Sequence, residues 1–137
     1  MKPKNSPMRI RQNHHVLAVH SFAKTDAFFV DLLGFEVVHE DGGDWRFYRR
    51  DETLVMAGTC LEDPLPRETG SHSYFAYFEV DDVDSWFRTV ELRIEGTGAI
   101  LRKAVRDEPW GQREFALESA EGHRVMIGQA IRPHSSE

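Results

Sequence analysis

The sequence has almost no cysteine and no long uninterrupted apolar segment. Cys60 is the only cysteine among 137 residues, which excludes an intrachain disulfide and any metal site built on several cysteines. No apolar run approaches the roughly 20 residues that a membrane-spanning helix needs. No charged-then-apolar leader of the kind found in signal peptides is present. We therefore expect a cytoplasmic protein without membrane contacts.

Basic residues are scarce relative to acidic ones. The 17 Lys and Arg residues are outnumbered by 23 Asp and Glu residues, and the formal net charge is -6 at pH 7. Nucleic-acid binding needs concentrated positive charge to neutralise phosphates, so the composition argues against it. It favours a cationic ligand or simply serves solubility. The content of 40% hydrophobic residues is typical of a globular protein, and the length is that of one domain.

One pattern of strands and a helix occurs in the first half of the chain. A strand is followed by a helix that Ser21 or Thr25 can cap and that ends before Gly34, where a left-handed residue is favoured. Three more strands complete this half. The predicted strands cover residues 14–20, 35–38, 45–50 and 53–58.

The second half repeats this order after a polar linker at residues 62–70 that contains two prolines. Asp81 or Asp82 is expected to cap its helix, and placing Val80 on Val19 aligns strand with strand and helix with helix. One such half must bury an edge of its sheet against a partner. The strands of this half are predicted over residues 74–80, 99–105, 114–118 and 124–128.

The repeat predicts an α+β fold of two βαβββ modules, each with a curved sheet that is covered by a helix on one side. We place the single domain at residues 13–130, with repeats at 13–61 and 72–130. Residues 1–12 and 131–137 are expected to be tails.

Pro109 and Gly111 flank Trp110 between two strand patterns. A rigid aromatic side chain on a tight turn offers contact area at little entropic cost. We expect this loop to present Trp110 either to a ligand or as a cap on the end of the core. Nearby, Glu108 is expected on a solvated acidic surface or at the ligand. Arg113 is expected either to form a surface or inter-strand salt bridge or to orient the Trp110 loop.

These patterns resemble the vicinal oxygen chelate superfamily, which includes glyoxalase I, extradiol dioxygenases, fosfomycin-resistance enzymes and bleomycin-resistance binding proteins. The resemblance covers roughly residues 13–130 and implies that the two βαβββ modules form a curved mixed sheet with a central cup. The superfamily hosts both enzymes and passive binders. The segments that carry it are His14 to Val19, Phe28 to Phe35, and Pro109 to Gly122.

In the metal-dependent members of that superfamily, each half contributes two ligands, usually His or Glu, from its first and last strands. The matching positions in this chain are His14, Met56, Phe75 and Met126. A lone histidine cannot hold a catalytic metal, so we predict no catalytic residue, no metal and no other cofactor. An irregular metal site formed by His14, His20 and Glu79 is the alternative.

Apolar side chains at these positions turn a polar cup into an apolar one, which is the usual composition of a small-molecule site. Methionine adapts to irregular ligands, and aromatic rings stack on flat groups. The predicted ligand-binding residues are Trp110, Phe75, Tyr77, Glu79, His14, Met56, Met126, Trp45 and Phe47.

The segment from Pro109 to Gly122 is most similar to the bleomycin-resistance proteins. In that family two chains exchange elements to form a dimer, and acidic grooves with aromatic residues bind a cationic glycopeptide. The resemblance implies a homodimer that sequesters a flat or cationic small molecule without catalysis. A metal-dependent glyoxalase- or dioxygenase-like enzyme is the alternative, and the modules pair either within one chain or between two.

Overall fold

The chain folds into two modules with the same order of elements. The computed structural model describes residues 8–131, so residues 1–7 and 132–137 of the predicted tails lie outside the described residues. Module 1 comprises β1 (His15–Val19), α1 (Phe22–Asp26), β2 (Glu36–Asp41), β3 (Trp45–Arg50) and β4 (Thr53–Thr59). The short helix α2 (Pro66–Thr69) follows. Module 2 comprises β5 (Tyr74–Glu79), α3 (Val83–Arg93), β6 (Ile100–Asp107), β7 (Gln112–Glu118) and β8 (Arg124–Ala130).

The two sheets have equivalent topologies. The strand order is β1-β4-β3-β2 in module 1 and β5-β8-β7-β6 in module 2. The first and last strands of each module, β1 with β4 and β5 with β8, are parallel, and the other pairs are antiparallel. The predicted α+β fold of two βαβββ modules is therefore confirmed, with a separate four-stranded mixed sheet in each module.

Helix ends follow the capping signals in the sequence. The hydroxyl oxygen of Ser21 accepts a hydrogen bond from the Lys24 amide at 3.1 Å at the start of α1. Asp82, rather than Asp81, caps α3 by accepting from the Ser85 amide at 3.1 Å. After α1 the chain continues as a π-helical segment, Ala27–Leu32, before Gly34 turns it with a φ of +78°.

One hydrophobic core joins the modules on the helix-bearing side of both sheets. Because strand side chains alternate, every second residue of each inner strand points into it. The His15 ring lies 5.8 Å from the Phe75 ring and 6.0 Å from the Phe78 ring, which links β1 to β5. The buried core side chains include Leu17, Val19, Phe28, Phe29, Leu32, Tyr48, Val55, Val83, Val90, Phe115, Leu117, Val125 and Ile127.

The segment predicted as a plain linker is docked onto module 2. It contains α2, and the Arg67 side chain there donates to Glu118 at 3.0 Å, while the Arg67 amide donates to the Glu121 carbonyl at 3.2 Å. Gly122 permits this approach because a Cβ at that position would collide with the Arg67 backbone. The linker therefore fixes the β7–β8 turn rather than simply spanning two halves.

No helix within residues 8–131 combines the length and the apolar character needed to cross a membrane.

Candidate ligand-binding site

Each sheet has a second face, turned away from the shared core, which we call open face 1 in module 1 and open face 2 in module 2. In module 1, residues that lie directly opposite one another on neighbouring strands form a row across open face 1. The equivalent register partners form a row on open face 2. The first row is Val16, Met56, Phe47 and His39, and the second is Tyr77, Met126, Ala116 and Lys103.

Open face 1 is apolar and aromatic. The Trp45 and Phe47 rings lie edge to face at 6.3 Å, and the His39 ring lies 4.7 Å from Phe47. Val16, at the β1 end of the row, is 62% exposed, and Trp45 is 38% exposed. Gly58 pairs with Trp45, and a Cβ on Gly58 would lie 3.0 Å from the indole ring. The glycine therefore lets the indole lie flat on the sheet.

Open face 2 is built around a buried carboxylate. Glu114 is 1% exposed, and its carboxylate accepts from the Tyr77 hydroxyl at 3.0 Å and from the Lys103 ammonium at 2.8 Å. The indole N–H of Trp110 makes a longer contact of 3.4 Å to the same group. Burial of a carboxylate is tolerated because these donors satisfy it.

Gly128 makes room for this cluster. It pairs with Glu114 across β7 and β8, and a Cβ there would collide with the Tyr77 hydroxyl and lie 2.8 Å from the Glu114 Cβ. Gly58 and Gly128 thus occupy equivalent positions and accommodate different side chains: an indole in module 1 and a hydrogen-bonded carboxylate in module 2.

A second carboxylate extends the network. Glu108 is only 8% exposed, so the expectation of a solvated acidic surface is wrong for this residue. Its carboxylate accepts from Lys103 at 2.6 Å and from Arg106 at 2.8 Å. These two donors lower the pKa of Glu108. Burial by itself would lower the pKa of Lys103, but the hydrogen bonds to Glu108 and Glu114 outweigh it and raise that pKa.

Trp110 stands at the tip of the β6–β7 turn. The Glu108 amide donates to the Gln112 carbonyl at 2.7 Å and the Gly111 amide donates back to Glu108 at 3.0 Å, which closes the turn. The indole is 64% exposed, so it is presented to solvent beside open face 2 and does not cap the core. Arg113 forms the expected inter-strand ion pair, at 2.9 Å from Asp107.

Phe75 does not lie on the open face. The pairing of β5 with β8 is irregular between Tyr74 and Ala76, so simple alternation fails and Phe75 turns towards the core. There its ring lies 6.0 Å from Phe29 of the other module. Tyr74, 39% exposed, takes the outward position that the sequence assigns to Phe75, and the Arg124 guanidinium lies 6.0 Å from its ring.

The other predicted site residues fall on different parts of the molecule. Trp45, Phe47 and Met56 share open face 1, while Tyr77, Met126 and Trp110 share open face 2. Glu79 is exposed at the end of β5, and His14 is exposed just before β1. Within residues 8–131, the aromatic contacts of Trp45 and Phe47 stay on open face 1 and do not reach Tyr77 or Trp110.

The residues of the open faces do not fit a catalytic metal. The equivalent central positions are the thioethers Met56 and Met126, which are poor ligands for the hard or borderline divalent metals of hydrolytic and oxygenase chemistry. Both oxygens of Glu114 are already engaged by protein donors. Among the described residues, no three His, Cys, Asp or Glu side chains are placed to hold a metal ion, so His14, His20 and Glu79 do not form the alternative site.

Glu114 and Lys103, which form the buried ion pair on open face 2, were not predicted as site residues from the sequence. The alternation of Glu114 with Phe115 signals that Glu114 faces away from the core. Nothing in the local sequence signals that Lys103 from another strand would meet it, because that contact depends on the β6–β7 register.

Comparisons with solved structures show similar folds. The bleomycin-binding protein from bleomycin-producing Streptomyces verticillus, solved with copper(II)-bleomycin, has 24% identity and a TM-score of 0.66, and the match covers 88% of this chain and 96% of that chain. The bleomycin resistance determinant encoded on the transposon Tn5 has 22% identity and a TM-score of 0.66, covering 90% and 100%. A glyoxalase-related enzyme from Fulvimarina pelagi has 16% identity and a TM-score of 0.68, covering 93% and 94%.

No curated protein matches the chain in sequence. A family model does match residues 11–127, nearly the whole described region. The match, together with the paired βαβββ modules, shows that the chain belongs to the Glyoxalase/Bleomycin resistance protein/Dioxygenase superfamily.

Proposed function

We propose that the protein is a dimeric small-molecule binder, in which open face 1 of one chain and open face 2 of its partner enclose a flat aromatic ligand and leave it chemically unchanged. The observation that carries this proposal is the pair of unequal open faces, one aromatic and one rich in hydrogen bonds, neither with a metal donor set. The similar bleomycin-binding and bleomycin-resistance proteins support the same class of function.

Exposed aromatic side chains supply the contact area. Large aromatic side chains are more stable when they are buried in a core or an interface. Three of them are nevertheless exposed here: Trp45 by 38%, Tyr77 by 43% and Trp110 by 64%. Full burial of such a side chain contributes about 1.5–3 kcal/mol before the cost of association is deducted. Two or three of them together contribute about 3–9 kcal/mol. A micromolar complex needs about 8 kcal/mol after the cost of association, so further contacts on the open faces must supply the rest.

A second chain is needed because each open face is only one wall of a cup. Val16, on the β1 edge of open face 1, is more than half exposed although it is purely apolar. Covering it with the partner's open face 2 would remove this surface from water and leave a groove between dissimilar walls.

Aromatic stacking, rather than net negative charge, is expected to dominate recognition. The carboxylates of Glu108, Glu114 and Glu118 on module 2 are all paired with Lys or Arg side chains. Glu79 has no ion pair among the described residues and is exposed at the edge of open face 2. A cationic substituent of the ligand is expected to bind there.

Calorimetric titration tests the proposal with three probes: copper(II)-bleomycin, the flat cation proflavine and the flat anion naphthalene-2-sulfonate. At least one flat probe should bind, and Trp45→Ala and Trp110→Ala should each weaken that binding about tenfold or more. Phe87→Leu is the control, because the Phe87 ring packs against Phe115 in the hydrophobic core, with 5.2 Å between the ring centroids. Absence of binding to all three probes, or binding unaffected by both alanine variants, contradicts the proposal.

Metal analysis addresses the enzymatic alternative. Protein purified without chelator should contain no stoichiometric zinc, nickel, iron or manganese. A stoichiometric metal that is lost in the His14→Ala variant would favour a metal-dependent enzyme over a binder.

A further inference from the structure

Two arginine side chains from different modules approach the same position at the interface between the modules. Arg50 ends β3, and Arg93 ends α3. Gly34 has no side chain to separate them: a Cβ there would lie 2.7 Å from the Arg50 Nη1 atom and 3.9 Å from the Arg93 Nη1 atom. Two like charges therefore approach the same empty position in a protein whose net charge is negative.

Arg50 is held in place from several sides. Its Nη1 atom donates to the Leu33 carbonyl at 2.8 Å, its guanidinium carbon lies 4.2 Å from the Trp86 ring centroid, and its Nε atom lies 3.6 Å from Asp51. Its Nη2 group has no hydrogen-bond partner among residues 8–131. A guanidinium fixed in this way loses little entropy when it binds an anion.

Arg93 forms no ion pair within the described part of the chain. Its position in the last turn of α3 is favourable by itself, because a cation there interacts well with the helix dipole. The dipole does not explain why a second guanidinium, from the other module, is directed towards the same point.

A cleft of about 220 Å³ lies beside the two arginines. The residues that line it include two guanidinium groups and no carboxylate, and it is large enough for a group of several heavy atoms. On the Gly34 side, the same two arginines line a second cleft that also contains Glu36 and Asp51. The hydroxyl of Ser85 is already donated to Asp82, whereas the Thr89 hydroxyl has no partner among the described residues and completes the set of donors. The lining residues are Leu32, Leu33, Arg50, Ser85, Trp86, Thr89 and Arg93.

We propose that this cleft, which we call the seam site, binds the phosphate dianion of inorganic phosphate or of a small phosphate monoester. Two guanidinium groups match a dianion in charge and in donor geometry. Since Arg50 belongs to module 1 and Arg93 and Thr89 belong to module 2, the bound phosphate bridges the modules and stabilises their packing. Arg50 and Trp86 also line a neighbouring cleft with Tyr77 and Glu79, but phosphate binding at the seam site does not depend on the ligand proposed for the open faces.

The three indole N–H signals in ¹H–¹⁵N correlation spectra test this site, after assignment by single Trp→Phe variants. At pH 7.5 and constant ionic strength, inorganic phosphate and phenyl phosphate are titrated in separate arms, with acetate as the monoanion control. The Trp86 signal should shift and saturate with phosphate, and those of Trp45 and Trp110 should stay in place. Tighter binding of phenyl phosphate identifies a monoester as the better ligand, and equal binding identifies the phosphate group alone.

Arg93→Gln should weaken phosphate binding about tenfold, the usual effect of losing one hydrogen bond to a charged group. Arg88→Gln is the matched control, because it removes the same charge from an exposed position on the same helix without lining the cleft. A response that does not saturate, an equal response to acetate, shifts confined to Trp45 and Trp110, or equal weakening in both variants would overturn the seam site.

Discussion

Open face 1 and open face 2 occupy equivalent positions in equivalent sheets, yet they differ in chemistry. Module 1 places Trp45 opposite Gly58, and module 2 places Glu114 opposite Gly128. One glycine therefore accommodates an exposed indole, whereas the other accommodates a carboxylate that is 1% exposed and hydrogen-bonded. The core-facing positions of both modules are mostly apolar.

This difference shows which residues the fold requires and which are free to vary. The inward-facing residues must fill a single core, so both modules keep Val, Leu, Ile and Phe there. The outward-facing residues are not constrained by the core, and there the two modules diverge. In a groove formed from both open faces, the aromatic rings of open face 1 would stack on the ligand and the polar groups of open face 2 would form hydrogen bonds with it. Because the two walls differ, the groove would accept a ligand in one orientation.

Glu114→Ala is expected to have the largest effect on stability. It leaves the Lys103 ammonium and the Tyr77 hydroxyl without their shared acceptor, and removal of one partner from a buried ion pair typically costs about 3–5 kcal/mol. Urea unfolding measures the loss, with Glu79→Ala as the exposed control. Equal stabilities of the two variants would mean that the carboxylate network is not a structural part of open face 2.

The two equivalent glycines should respond unequally to the same substitution. Gly128→Ala forces the new methyl group into Tyr77 and Glu114, and overpacking of this kind costs about 1–3 kcal/mol. Gly58→Ala meets only the ring of Trp45, which is at the surface and can move, so its cost should be smaller. If thermal unfolding shows the same loss for both variants, the proposed difference between the faces is wrong.

The Glu108 network predicts an acid-dependent loss of stability. The folded pKa of Glu108 lies below its ordinary value of 4.5, because Lys103 and Arg106 donate to it. Its contribution is therefore present above pH 4.5 and is lost as the pH falls through the lower, folded pKa. The stability difference between wild type and Glu108→Gln should shrink in that range, measured by urea unfolding from pH 7 to 3.

The control is Glu36→Gln, which removes an exposed carboxylate from module 1. A difference between wild type and Glu108→Gln that stays constant from pH 7 to 3 would show that the ion pairs with Glu108 contribute nothing.

Arg113→Ala should have the smallest effect. Its two ion pairs, with Asp84 and Asp107, are at the surface, where such pairs contribute about 0–1 kcal/mol. The Trp110 turn is closed by backbone hydrogen bonds, so ligand binding should not change. Weaker ligand binding with unchanged stability would instead assign Arg113 to the orientation of the Trp110 loop.

The fold could be predicted from the sequence because its signals are local. The caps at Ser21 and Asp82 and the turn at Gly34 depend on neighbouring residues, and the strand patterns repeat in the same order. The short helix that begins at Pro66 was missed, because four residues show no apolar periodicity.

The site could be predicted only in part, because it depends on register. Met56, Met126 and Tyr77 lie where alternation predicts. Phe75 does not, since a single irregularity after Tyr74 reverses its direction. The ion pair between Lys103 and Glu114 joins two strands at a position that no local motif marks.

Mixing two variants with weakened binding tests most directly whether each groove forms between chains. Trp45→Ala damages open face 1, and Trp110→Ala damages open face 2, so each homodimer lacks an intact groove. If grooves form between chains, a heterodimer of the two variants contains one groove with both substitutions and one intact groove. Binding of the best flat probe, measured by calorimetry after subunit exchange, should then reappear at wild-type affinity in the heterodimer, with one site per dimer. If binding stays as weak as in the two single variants after exchange is verified by mass spectrometry, each groove lies within one chain and the central claim is wrong.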